Sequence, residues 1–207
     1  MDAEMVRDAA LASSGLLVRK QGGPSVRPYQ PEGVWEAVAM IGSNTRDYKV
    51  DAGDKIYRRS MYTFWKRAAP PASMDIFNAP NREVCVVKRE RTNTPLQALV
   101  TLNDPQFVEA ARRLAERALA EGGDTDAARL DFIARRVLAR PLAEQERPVV
   151  DKSLATLVDY YKNHADDAKQ VIAVGASKPN AALDPQTLAA WTMLTNEMMN
   201  LDEVLNK

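Results

Sequence analysis

A chain of 207 residues, 45% hydrophobic and 27% charged, can bury the core of one domain or of two small ones, and its composition excludes disorder of the chain as a whole. Its 28 basic and 28 acidic residues cancel, so the overall basic excess of a nucleic-acid binder is absent and charge has to be read by segment. One cysteine, Cys85, excludes an internal disulfide, and one histidine, His164, excludes a His/Cys metal cage, a CxxCH haem attachment and, with no nucleophile motif around it, a recognisable Ser-His-Asp system.

In chain order, Met5, Val6, Ala9 and Ala10 share one side of an opening helix expected from about Asp2 to Ser13, which Gly15 and then Gly22-Gly23-Pro24 stop. Pro24 to Pro31 reads as an extended loop. Val34, Trp35, Val38 and Ala39 then recur at the spacing of a second short helix. From Ser60 to Lys66 the side chains alternate, with Met61, Thr63 and Trp65 opposite Tyr62, Phe64 and Lys66, as in a strand that Pro70-Pro71 ends. Val84 to Lys88 is a second β-branched run, so a two-stranded antiparallel ribbon is expected, with Cys85 as a small buried hydrophobe inside it.

The composition changes near Thr92, after which Ala/Leu-rich stretches with helical spacing take over. Thr94, Pro95 and Gln97 form a helix start in which the Thr hydroxyl and the Gln side chain satisfy each other's backbone N–H groups. Asp104-Pro105 repeats the device and opens a helix carrying Phe107, Ala111, Leu114 and Ala118 to Gly122-Gly123. Further helices are read around Leu130–Leu138, around Val150–Tyr161 and from about Ala165 to Val174. A last one follows Asp184-Pro185, with Leu188, Trp191, Leu194 and Met198 on its apolar side. After Arg140-Pro141-Leu142, Ala143 with Glu146 keeps half of a capping box, and Pro148 is tolerable only in a helix that starts close to Ala143. The fold class expected is mainly α: a helical bundle with an irregular, Pro-rich N-terminal part and a small β-ribbon. It is read as one compact unit over 1–207, irregular over 1–92 and helical over 93–207.

Chemistry is concentrated between Arg46 and Thr94, where eleven Lys/Arg against six Asp/Glu leave a net charge of +5. Within it, Tyr57 to Arg67 alternates cations with aromatic rings. That pattern suits an anionic or ring-bearing ligand, because guanidinium groups neutralise carboxylate or phosphate while rings stack on sugars or bases. A strand that packs its rings on helices and snorkels its cations has the same sequence. Arg89-Glu90-Arg91 is open to the same two readings, ligand fork or ion-pair knot. The candidate ligand-binding residues are Arg58, Arg59, Trp65, Arg82, Arg89 and Arg91. No catalytic or metal-ligating set emerges. Asp166-Asp167 and Asp202-Glu203 are sequence neighbours, which suits capping and solvation rather than paired acid-base work. No apolar run approaches the roughly 18 residues of a membrane span.

The motifs that carry a resemblance are Tyr57-Arg58-Arg59-Ser60-Met61-Tyr62-Thr63-Phe64-Trp65-Lys66-Arg67, Pro70-Pro71, Phe77, Pro80, Arg82 and Cys85, followed by Arg89 to Leu99 and Leu102-Asn103-Asp104-Pro105-Gln106-Phe107. With Gly22 to Val26, Pro28 to Pro31, Arg140-Pro141-Leu142 and Asn200 to Glu203, they resemble the C-terminal uncharacterised domain of the planctomycete cytochrome-c-associated protein family. That resemblance implies a longer exported polypeptide, of which this chain is a C-terminal fragment or split product, with haem c in an upstream region and no cofactor in this chain.

It also implies a periplasmic or otherwise exported location, the cytoplasm being the alternative. The function expected is a non-catalytic interaction or ligand-docking module of a haem-c-associated assembly, linked to carbohydrate processing. Its partners would be the upstream haem-c module or a carbohydrate, with nucleic acid disfavoured. The competing expectation is the substrate-binding part of a haem-linked oxidoreductase, its arginines holding an anionic or carbohydrate substrate.

Overall fold

The computed structural model describes residues 1–206 and is mainly α. The chain divides into two compact units, one built from Met1–Asp8 and Leu17–Val100, the other from Ala9–Leu16 and the residues from Thr101 on.

The first unit holds the start of α1 (Ala3–Ser14), three short 3-10 turns at Glu36–Val38, Gly53–Tyr57 and Ser60–Tyr62, a one-turn helix α2 (Ala72–Ile76) and the first part of α3 (Pro95–Asn103). Its loops are organised by side chains. Trp35 is buried, with Tyr48 edge-on at 4.7 Å and Phe64 at 5.5 Å between ring centres. The Tyr48 hydroxyl donates to Pro28 O at 2.5 Å, and the Arg27 N–H donates to Asp51 Oδ2 at 2.8 Å, fixing the proline-rich loop over this cluster. A second cluster joins Ala3, Met74 and Ala79 with Trp65 and Phe77.

The expected β-ribbon does not form: the described residues contain only isolated bridges, Val18 with Arg58 and Val26 with Thr63 in parallel, and Lys66 with Ala69. The reason lies in α1. Buried Arg7 donates to Ile56 O at 2.5 Å, Arg58 O at 2.8 Å and Ser60 Oγ at 3.2 Å, while Asp8 Oδ1 accepts from Ser60 N at 2.8 Å and Ser60 Oγ at 2.7 Å. Helix side chains thus take Ser60 N and the carbonyls of Ile56 and Arg58 before it, the Val26 backbone takes Tyr62 O and Phe64 N, and Ser60–Tyr62 turns instead of extending. Val84–Lys88, the other expected strand, is exposed and irregular. Cys85 is an exposed free thiol, not the buried hydrophobe expected of it.

The Thr94 start behaves as its sequence demands. Gln97 N donates to Thr94 Oγ1 at 3.3 Å and Thr94 N to Gln97 Oε1 at 3.0 Å, a reciprocal cap on α3.

The second unit is a helical bundle centred on α8 (Pro185–Met199), against which α4 (Pro105–Glu121), α6 (Arg147–Asn163), α7 (Ala165–Ile172) and α5 (Asp126–Val137) pack; α9 (Asp202–Leu205) closes it. Leu188, Trp191, Leu194 and Met198 are buried on α8, as are Leu114 and Ala118 on α4 and Leu130, Ile133 and Ala134 on α5. Asp104 caps α4 through Gln106 N at 3.0 Å and Asp184 caps α8 through Thr187 N at 2.8 Å, each ahead of a proline that has no N–H to satisfy.

One polar network runs through this core. Arg112, 0% exposed, donates to Glu116 Oε1 at 2.8 Å and to Ser177 O and Oγ at 2.6 and 2.8 Å. Glu109 Oε1 accepts from Ser177 N and Oγ at 2.6 Å each. The loop between α7 and α8 is thereby tied to α4. Half of the box before α6 survives as the sequence suggested, Glu146 Oε2 accepting from Ala143 N at 2.7 Å, but the helix itself begins at Arg147, which puts Pro148 in its first turn.

Candidate interaction site

All six candidate residues lie in the first unit, and their surroundings separate them. Arg58 faces inward. Its guanidinium donates to Gly22 O at 2.5 Å, Pro24 O at 2.9 Å and Lys20 O at 3.2 Å, and lies 3.9 Å from the centre of the Tyr62 ring. The Tyr62 hydroxyl in turn accepts from Gly22 N at 2.9 Å. Only 5% of Arg58 is exposed, so this residue clamps the Lys20–Pro24 loop and offers an incoming anion little. The bridge it makes with Val18 explains why the loop returns here.

Arg59 points the other way, half exposed, its Nε 3.7 Å from Asp8 Oδ2. Trp65 is partly buried in the Ala3–Met74–Ala79 cluster with its indole Nε1 buried and unbonded. The Arg82 guanidinium covers that ring at 4.6 Å, and the Arg82 backbone sits in the left-handed region at φ 64°. Trp65 and Arg82 are thus brought together as a cation on a ring.

Arg89 and Arg91 form a second group. Arg89 Nη1 donates to Glu4 Oε2 at 2.6 Å and lies 3.8 Å from Asp2 Oδ2, while Arg91 Nε donates to Asp2 Oδ1 at 3.1 Å. The acids sit at the start of α1, where carboxylates also face the helix's own N–H groups. Between the two groups runs the exposed stretch Val84-Cys85-Val86-Val87-Lys88. Val87 is fully exposed, and among the described residues no hydrogen bond reaches the backbone of Val84–Lys88. Asp2 and Val86–Thr92 line an open cleft beside it. Among the described residues, no cluster of three or more His, Cys, Asp or Glu side chains is arranged to hold a metal ion.

Sequence reasoning missed Arg7 and Asp8, which hold the centre of this unit. Their signal is a charged pair set beside Val6, Ala10 and Leu11 on a helix face that is otherwise apolar. It also missed the Glu109, Arg112 and Glu116 spacing on α4, which places three charges on one buried side of a helix.

What the fold and the site define is a mainly α chain whose irregular, cation-bearing part carries an exposed apolar stretch between arginines. The chain belongs to the PSD1 family, described as "Protein of unknown function (DUF1553)", whose family model matches residues 1–154. That match takes in the whole Tyr57 to Phe107 run and the Arg140-Pro141-Leu142 turn, and stops short of Asn200 to Glu203. No curated protein and no solved structure matches the chain. No helix among the described residues is long and apolar enough to cross a membrane.

Proposed function

We propose that this chain is a non-catalytic interaction or ligand-docking module of an exported, haem-c-associated assembly, with complex carbohydrate or its acidic oxidation products as the ligand class. The observation that carries the reading is the exposed 82–91 segment. Val84, Val86 and Val87 stand in solvent between Arg82 on one side and Lys88, Arg89 and Arg91 on the other. An exposed β-branched run whose backbone bonds only to water is a ready template for a partner, and flanking cations draw an acidic partner to it. The export and haem association rest on the family resemblance of the Tyr57 to Phe107 motifs.

The test is equilibrium binding of the full chain to polygalacturonate and to a neutral glucan of similar length, followed by tryptophan fluorescence. Binding of the uronate that weakens as salt rises, with Lys88→Glu and Arg82→Glu each reducing it several-fold, is the expected result. Equal affinity for both polymers, or none for either, would refute it. If full-length haem-c-bearing relatives are reduced by such a sugar, the arginines serve an oxidoreductase instead.

A further inference from the structure

The residues from Arg82 to Glu90 read Arg-Glu-Val-Cys-Val-Val-Lys-Arg-Glu, a pattern in which Arg82 and Glu83 mirror Glu90 and Arg89 with opposite charge about Val86, Lys88 facing the uncharged Val84. We infer that the occupant of this segment is a second copy of the same segment, paired antiparallel about a two-fold axis through Val86. This goes beyond the ligand-docking reading of the same segment and stands apart from it.

Two identical antiparallel strands related by a two-fold axis must place one residue opposite its own copy, because the alternating hydrogen-bonded and non-bonded pairs are not otherwise preserved. Centring on Val86 puts Cys85 opposite the second copy's Val87 and Glu83 opposite its Arg89. Arg82, with its left-handed backbone and its guanidinium on the Trp65 ring, lies at the edge of the paired stretch facing Glu90, and each of these pairs occurs twice. Centring on Cys85 instead sets Arg82 against Lys88 twice, like charge on like. Centring on Val87 keeps only Glu83 against Arg91, and centring on Val84 gives no charge pair. One register therefore combines an apolar middle with complementary ends on both sides.

The structure leaves the required groups available. A ladder through the N–H and C=O groups of Val84, Val86 and Lys88 uses only backbone that has no hydrogen bond among the described residues. Glu83 N, already donating to Asn81 Oδ1 at 3.0 Å, is not needed. Arg89 keeps Glu4 and still has guanidinium donors for the second copy's Glu83. Residues 84–88 are exposed, so the stretch can extend without breaking a buried contact once its bends at Val84 and Val87–Lys88 straighten. The pairing is short, and a two-stranded ribbon is marginal in water, so the dimer is weak, concentration-dependent and salt-sensitive.

The experiment combines sedimentation of the full chain over a concentration series with disulfide trapping. In the proposed register the two Val86 Cα atoms lie about 5.5 Å apart, inside the range a disulfide spans, while the two Cys85 Cα atoms lie about 8 Å apart, outside it. Cys85→Ala/Val86→Cys is therefore expected to give a covalent dimer under mild oxidation at least about tenfold faster than the unaltered chain. Glu83→Lys, at an exposed position, is expected to raise the dimer dissociation constant about tenfold, since it sets like charges opposite at both ends.

Faster cross-linking through Cys85 than through Val86→Cys would overturn the register. A monomer at every concentration up to about 1 mM would overturn self-pairing altogether. A monomer that still binds polygalacturonate would do so while leaving the docking reading standing.

Discussion

Replacing Gly175 by alanine tests the buried network of the second unit at its tightest point. Gly175 has φ +95°, and a Cβ built there falls 2.4 Å from Glu109 Cδ, 2.6 Å from Cγ and 2.7 Å from Cβ. The obstacle is not a flexible tip. Glu109 is 1% exposed and is held by two hydrogen bonds from Ser177, so it has no room to retreat. The left-handed backbone costs a residue with a Cβ about 1–2 kcal/mol, overpacking adds about 1–3 kcal/mol, and disturbing hydrogen bonds to a buried carboxylate adds to both.

A loss of about 3–5 kcal/mol is expected for Gly175→Ala. The assay is urea unfolding followed by far-UV circular dichroism, with tryptophan fluorescence, to which Trp191, buried on α8, contributes alongside Trp35 and Trp65, as a second readout. Gly15→Ala is the control: it has φ +84° too, but its Cβ meets only the far end of Arg117, at 3.1 Å. It should lose about 1–2 kcal/mol. If Gly175→Ala proves no worse than Gly15→Ala, the packing argument fails.

Arg112→Ala takes the Arg112 guanidinium away from buried Glu109 and from buried Glu116, which keeps only Arg113, and should cost about 3–5 kcal/mol by the same unfolding assay. A loss below about 1 kcal/mol would show that water reaches the site. Asp184→Ala removes the cap from α8 and should cost about 1 kcal/mol, with Asp184→Asn close to neutral. Glu146 is held down to about 2 from an ordinary 4.5 by the Arg140 guanidinium and then by the Ala143 N–H. A carboxyl lowered on folding stabilises above its unfolded value and stops doing so as pH falls through the folded one. A carbon-detected titration of Glu146 should therefore show a midpoint near 2, whereas a midpoint near 4.5 would mean the pair is open in solution.

The helical part was legible because its boundaries are local chemistry. Asp104-Pro105, Asp184-Pro185 and Thr94 with Gln97 each satisfy their helix starts within a few residues of sequence, and each does so in the structure. The ribbon was illegible for the opposite reason. Alternation from Ser60 to Lys66 is real, but its backbone partners are Asp8, which accepts from Ser60 N, and Val26, which pairs with Tyr62 O and Phe64 N, all more than thirty residues away. Val84 to Lys88 has the β-branched composition of a strand and no neighbour to pair with, so propensity alone does not extend it.

The candidate site divides in the same way. The sequence marks Arg58 and Arg82 alike as cations among rings. Only the carbonyls of Lys20, Gly22 and Pro24 around the first, and the Trp65 face under the second, tell a loop clamp from a surface cation. Arg89 and Arg91 find their acids on Asp2 and Glu4, more than eighty residues earlier, which no local pattern announces.

Amide hydrogen exchange of Val84 to Lys88 tests the account most directly, because both docking and self-pairing need that backbone open in the isolated chain and closed in the complex. In dilute solution these amides should exchange at nearly the rate of an unstructured peptide. They should gain protection only as chain concentration, or added polyuronate, is raised. Strong protection in the dilute monomer would mean the segment is already paired within the chain, and the surface on which the function is built would not exist.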